Sequence, residues 1–311
     1  MNRIIEFDII RAICILEIVA YWHLRNYFPI TDFGCYGSVM TNVSLAGFTL
    51  ISGYLNGHNK RSVLDFYSSR LKRFFVPYIL SYFLLVLIGF NTYEMPKVIL
   101  DLVGLSIFAP PMPRTLWYIS MLSFFYIFTP FFIAKRSVLR SFLFFFLFIL
   151  LYNFHLVETR VLLFFPFYIL GLLLPVEKFF RFPCSSISLF FGGLFFLLCI
   201  FILGPFCNKI IIHIVVYMFG CAFLLTISRI ISKFFLLCSF FSIISYSSMF
   251  VYLFHRFFFF LFSLLDMSMY ILIPLMVIST FIICFFLQKL YDLIIFSLFN
   301  KCPKLTSCHI L

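Results

Sequence analysis

Runs of about 20 mostly apolar residues recur along nearly the whole chain, and that is the length of α-helix needed to cross a bilayer core of about 30 Å. They fall at 8–27, 37–55, 75–92, 116–134, 140–156, 160–176, 186–204, 209–228, 246–265 and 269–290. The chain is 64% hydrophobic and only 11% charged, with 51 Phe among its 311 residues. Soluble domains stay near 45–50% apolar and about 25% charged. The expectation is an all-α integral membrane protein of about ten transmembrane helices, with a single polytopic domain over residues 1–295 and a short basic tail over 296–311. The first run is interrupted by Arg11 and Glu17 and is followed by no small-residue cleavage site, so it reads as a retained helix rather than a signal peptide.

A net charge of +12 raises the question of nucleic acid, and the placement of the charges answers it. Of the 23 Lys and Arg, Arg11 and Arg256 lie within spans. Only Arg25, Lys97, Arg114, Arg160 and Lys209 fall on the loops of one side, and all the others fall on the opposite side. Cytoplasmic loops carry the excess of Lys and Arg, so both termini are placed in the cytoplasm. The basic balance reflects topology and membrane lipids, with no nucleic acid as partner. The ten Cys and six His show neither CxxC nor HExxH spacing, and no metal is expected. The two long connections are 57–74 and 93–115; the apolar stretch VILDLVGLSIF in the second is expected along the membrane interface.

Ionisable residues inside spans are costly and mark function. Asp8 and Arg11 are three residues apart on one helical face, where they can pair. His23 lies about 18 Å beyond Arg11 along an α-helix, with Glu17 between them. A mid-membrane carboxylate costs about 2.5–3.5 kcal/mol on insertion scales, so Glu17 is expected to face the bundle interior or a wet cavity. Arg11 can alternatively snorkel to the inner surface and His23 to the outer one. Arg70 and Arg73, with Lys72 between them, form a cationic face suited to phosphate; ordinary anchoring by basic loops gives the same pattern. His255 and Arg256 sit deep in the ninth span, with Glu17 as a candidate partner for either. His213 reads as a possible packing residue.

Five stretches resemble, in order, the motifs of the acyltransferase-3 family, membrane-bound O-acyltransferases of bacterial surface glycans. They are FDIIRAICILEIVAYWH, LAGFTLISGYL, SRLKRFFVPY, TLWYISMLSFFYIFTPFF and ISYSSMFVYLFH. The resemblance implies transfer of an acyl group, usually acetyl from cytosolic acetyl-CoA, to a glycan or lipid-linked sugar acceptor at the bacterial cytoplasmic (inner) membrane. It implies that Arg11 and His23 are catalytic and that Arg70 and Arg73, with Lys72 nearby, hold coenzyme A. Asp8, Glu17, Ser52, Gly53, Tyr54, Trp117, Tyr252, His255 and Arg256 are the further candidates for lining a cavity between helices one, two and nine.

One departure matters. Eleven residues, Ala12 to Trp22, separate Arg11 from His23, one more than the family pattern. In an unbroken α-helix the extra residue rotates His23 by about 100°. Either a π-bulge absorbs it or His23 points elsewhere. A transporter or flippase of a glycolipid or small metabolite, with Glu17, His255 and Arg256 as a relay, is the competing function, although no inverted repeat is evident.

Overall fold

The computed structural model describes residues 4–28, 34–57, 62–89, 97–108, 115–134, 138–154, 158–173 and 210–299, and every regular element among them is helical. Helix α1 (Ile5–Leu16) runs on as a π-helix (Glu17–His23) and a short 3-10 turn. It is followed by α2 (Gly34–Gly57) and by α3 (Val63–Arg70), which passes through a second π segment (Leu71–Phe75) into α4 (Val76–Leu87). Then come α5 (Lys97–Leu102), α6 (Trp117–Ala134), α7 (Val138–Asn153) and α8 (Thr159–Leu173). The long helices α9 (Ile210–Ile231), α10 (Phe235–Ser263) and α11 (Met269–Phe299) complete the described chain.

α1 is the axis of the bundle. It packs against α2, α9 and α10, and Ile9, Ala12, Cys14, Ile15 and Val19 are sealed from solvent. That central place explains how one helix can carry Asp8, Arg11, Glu17 and His23, because none of them has to meet lipid. α2 crosses α8 with backbones in contact. A Cβ on Gly53 would lie 2.1 Å from the Tyr168 carbonyl oxygen, and one on Gly171 would lie 2.1 Å from that of Leu50. Small residues at such a crossing let two membrane helices approach closely.

α9, α10 and α11 are long and apolar enough to span a membrane, with mean hydropathies of 2.1, 1.7 and 2.6 over their spans. α6, α7 and α8 are apolar but shorter. Only 22% of the apolar window of α11 is buried, leaving Ile271, Ile278, Ile282, Phe286 and Leu293 exposed along it. An apolar face of that size requires lipid around it, so the chain is an integral membrane protein.

One expectation is adjusted: the ninth span, expected from 246, belongs to a helix that starts at Phe235. The stretch expected along the interface contributes α5 and a 3-10 turn with one face on the bundle and the other open: Ile107 is buried, Tyr78 Oη donates to the Asp101 carbonyl at 2.6 Å and Tyr82 Oη to its carboxylate at 3.3 Å, while Ile99 and Val103 are exposed. The span at 186–204 and residues 300–311 of the tail lie outside the described residues.

Candidate active site

Beside α1 lies a cavity of about 140 Å³. Its walls come from α1, α2, the α3–π segment, α6 and α10, and its polar lining includes Arg11, Ser52, Arg70, Arg73, Tyr126 and Tyr252. Of the helices expected around it, one, two and the ninth span (α10) are present; α3 and α6 are additional.

The arginines are gathered by the second π segment. Pro77 stands at the start of α4 and has no N–H to offer the carbonyl four residues back, so one α-helical hydrogen bond is missing there. The widened turn Leu71–Phe75 precedes it and carries Arg73 to the same cavity as Arg70. Arg70 Nη2 donates to Asn56 Oδ1, and Asn56 Nδ2 donates in turn to Tyr168 Oη at 3.0 Å. The Arg70 guanidinium also lies over the rings of Tyr126 (5.4 Å) and Phe66 (5.5 Å), while its Nε is buried without a hydrogen-bond partner. Arg73 feels the like charges of Arg11 and Arg70 and the opposite charge of Asp292. Asp292 is itself engaged by Tyr246 Oη and by Gln288 Nε2. Three cations on one cavity wall repel one another, and an anion placed among them would relieve that repulsion.

Farther along α1 the π segment Glu17–His23 ends on a buried His23. A π turn takes up one residue relative to an α-helix, which offsets the extra residue between Arg11 and His23. The His23 ring stacks on that of His255 from α10, with centroids 4.5 Å apart and planes 12° from parallel. His255 is fully buried, and its ring centroid lies 6.3 Å from that of Tyr252, which borders the cavity. Tyr252 Oη donates to the Thr115 carbonyl at 2.6 Å. Thr115 itself holds φ at +73°, an outlier for a β-branched residue of the kind that clusters at functional sites.

The other candidates divide. Asp8 accepts from Ser245 on α10 at 2.9 Å. Glu17 accepts from Thr41 on α2 at 2.8 Å, and the Ser44 hydroxyl also faces it, so its contacts run to hydroxyls rather than to His255 or Arg256. Gly53 serves the helix crossing, and Tyr54 packs edge-on against Phe7. Trp117 lies beneath the Arg160 guanidinium at 4.5 Å. The Lys72 carbonyl accepts from Tyr291, and Lys72 is not among the residues lining the cavity. Arg256 sits beside both imidazoles, and its carbonyl accepts from Tyr27 at 3.4 Å. His213 meets Tyr217 at 3.0 Å. Sequence reasoning missed Tyr118, Tyr126, Tyr246, Asn56 and Thr115. The first three are polar tips on apolar helices, which is a signal too common in membrane spans to single them out. Among the described residues no group of His, Cys, Asp and Glu is arranged to hold a metal ion.

Comparison with known proteins places this geometry. The acyltransferase-3 family, described as an acyltransferase domain, has a sequence model that matches residues 4–289. No curated protein and no solved structure matches the chain. A match over nearly the full length, on a lipid-exposed helical bundle, means that the chain belongs to the acyltransferase-3 family and is a membrane acyltransferase.

Proposed function

We propose that the protein transfers an acyl group, acetyl in the first instance, from cytosolic acyl-CoA to a hydroxyl of a surface or exopolysaccharide or of its lipid-linked precursor, at a bacterial cytoplasmic membrane. The observation that carries this reading is a cavity that gathers Arg11, Arg70 and Arg73 and reaches Tyr252, one turn short of the His23–His255 pair. Guanidinium forks bind phosphate oxygens in pairs, and these arginines suit the phosphates of coenzyme A. Size agrees: an apolar cavity of about 150 Å³ takes up benzene, and this one, of about 140 Å³, suits an acyl thioester end. Arg70 and Arg73 would therefore hold the phosphates at the mouth. Arg11, deeper on α1, would face the negative charge that develops on the thioester oxygen during attack. His23 and His255 would supply the base that an unactivated sugar hydroxyl needs.

The test is thiol release by the purified protein in lipid nanodiscs, given acetyl-CoA with and without a lipid-linked glycan extract. Acceptor-dependent release of free CoA, with label appearing in the glycan, is the expected result. Arg70→Ala and Arg73→Ala should each weaken acetyl-CoA binding by about 10- to 100-fold, since a hydrogen bond to a charged group contributes about 1.5–3 kcal/mol. Protein that binds acetyl-CoA yet releases no thiol with any glycan fraction would overturn the reading, and so would glycolipid transport without acyl transfer.

A further inference from the structure

A second group of arginines surrounds the side chains beyond Tyr252. Arg160, at the start of α8, lies over the Trp117 ring at 4.5 Å. Trp117 in turn abuts Tyr118 of the cavity wall, with ring centroids 5.8 Å apart. Arg25, just past the first π segment, lies over the Trp22 ring at 3.4 Å. Trp22 and Trp117 are the two tryptophans of the chain, and each carries an arginine on its face. Arg256 is the third of the group. It is 7% exposed, and its backbone carbonyl accepts from Tyr27 Oη at 3.4 Å. It lies ten residues, about 15 Å along an α-helix, beyond Tyr246. The three act on shared groups: Tyr252 lies in the field of Arg256 and Arg160, and His23 in that of Arg256 and Arg25.

Charge of one sign lining a cleft draws ligands of the other sign. Arg25 and Arg160 alone would also suit lipid headgroups, but Arg256 is buried beside His23, away from any headgroup. Arg160 shows what such a guanidinium takes. Its side chain is 49% exposed, and its Nε meets the Glu158 carboxylate at 3.6 Å. An exposed ion pair contributes little, so an incoming oxyanion can replace Glu158 on a guanidinium already stacked on Trp117.

We propose that the acceptor is anionic: a carboxylate or phosphate on the glycan meets Arg160 on entry and is held by Arg256 while a neighbouring hydroxyl lies at His23. The proposal rests on the acyl-transfer reading and adds the charge of the acceptor and the residue that selects it. A sugar acid or sugar phosphate carries its anion a few bonds from its ring hydroxyls, so one sugar can present both groups to adjacent side chains.

The test uses three probes: a uronic-acid oligosaccharide, the same oligosaccharide with its carboxylates reduced to alcohols, and the reduced form bearing a phosphate ester. Each is given with labelled acetyl-CoA to the protein in nanodiscs, and kcat/KM for each charged probe is divided by that for the reduced one. The ratio cancels any change in the base, which all three acceptors share. The parent should favour a charged probe by about 10- to 100-fold, the range for a hydrogen bond to a charged group. Preference for the uronate identifies a sugar acid, and preference for the ester a phosphorylated glycan. Arg256→Gln should bind acetyl-CoA as the parent does and bring the ratio close to one, through a higher KM for the charged probe. Arg256→Lys, which keeps the charge without the fork, should retain part of the preference. Equilibrium binding of the same probes makes the comparison without turnover, and equal affinity of the parent for all three would overturn the proposal. Equal kcat/KM for all three would do so too, while leaving acyl transfer standing. A preference unchanged in Arg256→Gln would overturn the role of Arg256. A parent that releases no CoA with any glycan fraction would remove the acyl-transfer reading itself.

Discussion

At the scale of single residues, several polar groups in and beside the cavity are engaged by hydroxyl, amide and carbonyl partners. Asp8 is bonded by Ser245, Glu17 by Thr41, Tyr252 by Thr115 and Arg70 by Asn56. Thr115 shows what such an arrangement costs. Its left-handed backbone disfavours an L side chain by about 1–2 kcal/mol, and its buried Oγ1 has no hydrogen-bond partner. Thr115→Gly removes the side-chain clash and the unmatched hydroxyl but keeps the carbonyl that Tyr252 needs. Against glycine's larger loss of chain entropy, about 0.5–1 kcal/mol, the variant should still come out more stable than the parent. Its thermal unfolding midpoint in nanodiscs should rise, and a fall would mean that the conformation at 115 is not strained.

At the scale of elements, the two π segments set where the candidate residues fall. The first lies between Arg11 and His23, and the second puts Arg73 on the cavity of Arg70. The first was partly legible in advance, because counting eleven residues where the pattern has one fewer leaves an α-helix about 100° out of register. The second was legible only in part: Pro77 announces a break, but not that the preceding turn widens rather than kinks. Other features left no mark in the sequence. The start of α10 was read eleven residues late because residues 235–245 carry no charge or turn signal to set them apart. The partner of Glu17 was sought among cations, since sequence gives no reason to prefer one threonine on another helix. A deletion tests the first π segment directly. Removing Ala20 should convert the turn to α-helix and return His23 to nearly the same azimuth, so acyl transfer should survive. Inserting one alanine at the same point adds a rotation of about 100° with no turn left to absorb it, and should abolish transfer.

At the scale of the whole molecule, the proposed reaction needs two faces, with donor phosphates entering from one and the glycan from the other. The bundle has the corresponding polarity. α10 runs from the arginine end, where Tyr246 meets Asp292 and the Lys72 carbonyl meets Tyr291, past the cavity to His255, and then to the turn at Asp266. The distribution of Lys and Arg argues for the arginine end in the cytoplasm, where Arg70 and Arg73 would meet the proposed acyl-CoA donor. Ser62, exposed just before α3, and Asp266, exposed after α10, mark the two ends. In cells expressing Asp266→Cys, a membrane-impermeant maleimide should label the protein above the parent's background from outside. Ser62→Cys should be labelled only after the membrane is opened. The reverse pattern would place the arginines outside, away from any cytosolic CoA thioester, and would exclude the proposed donor even if the helices are packed as described. Labelling at Asp266 alone in intact cells would put Arg70 and Arg73 on the cytoplasmic side, where the proposed acyl-CoA donor would reach them.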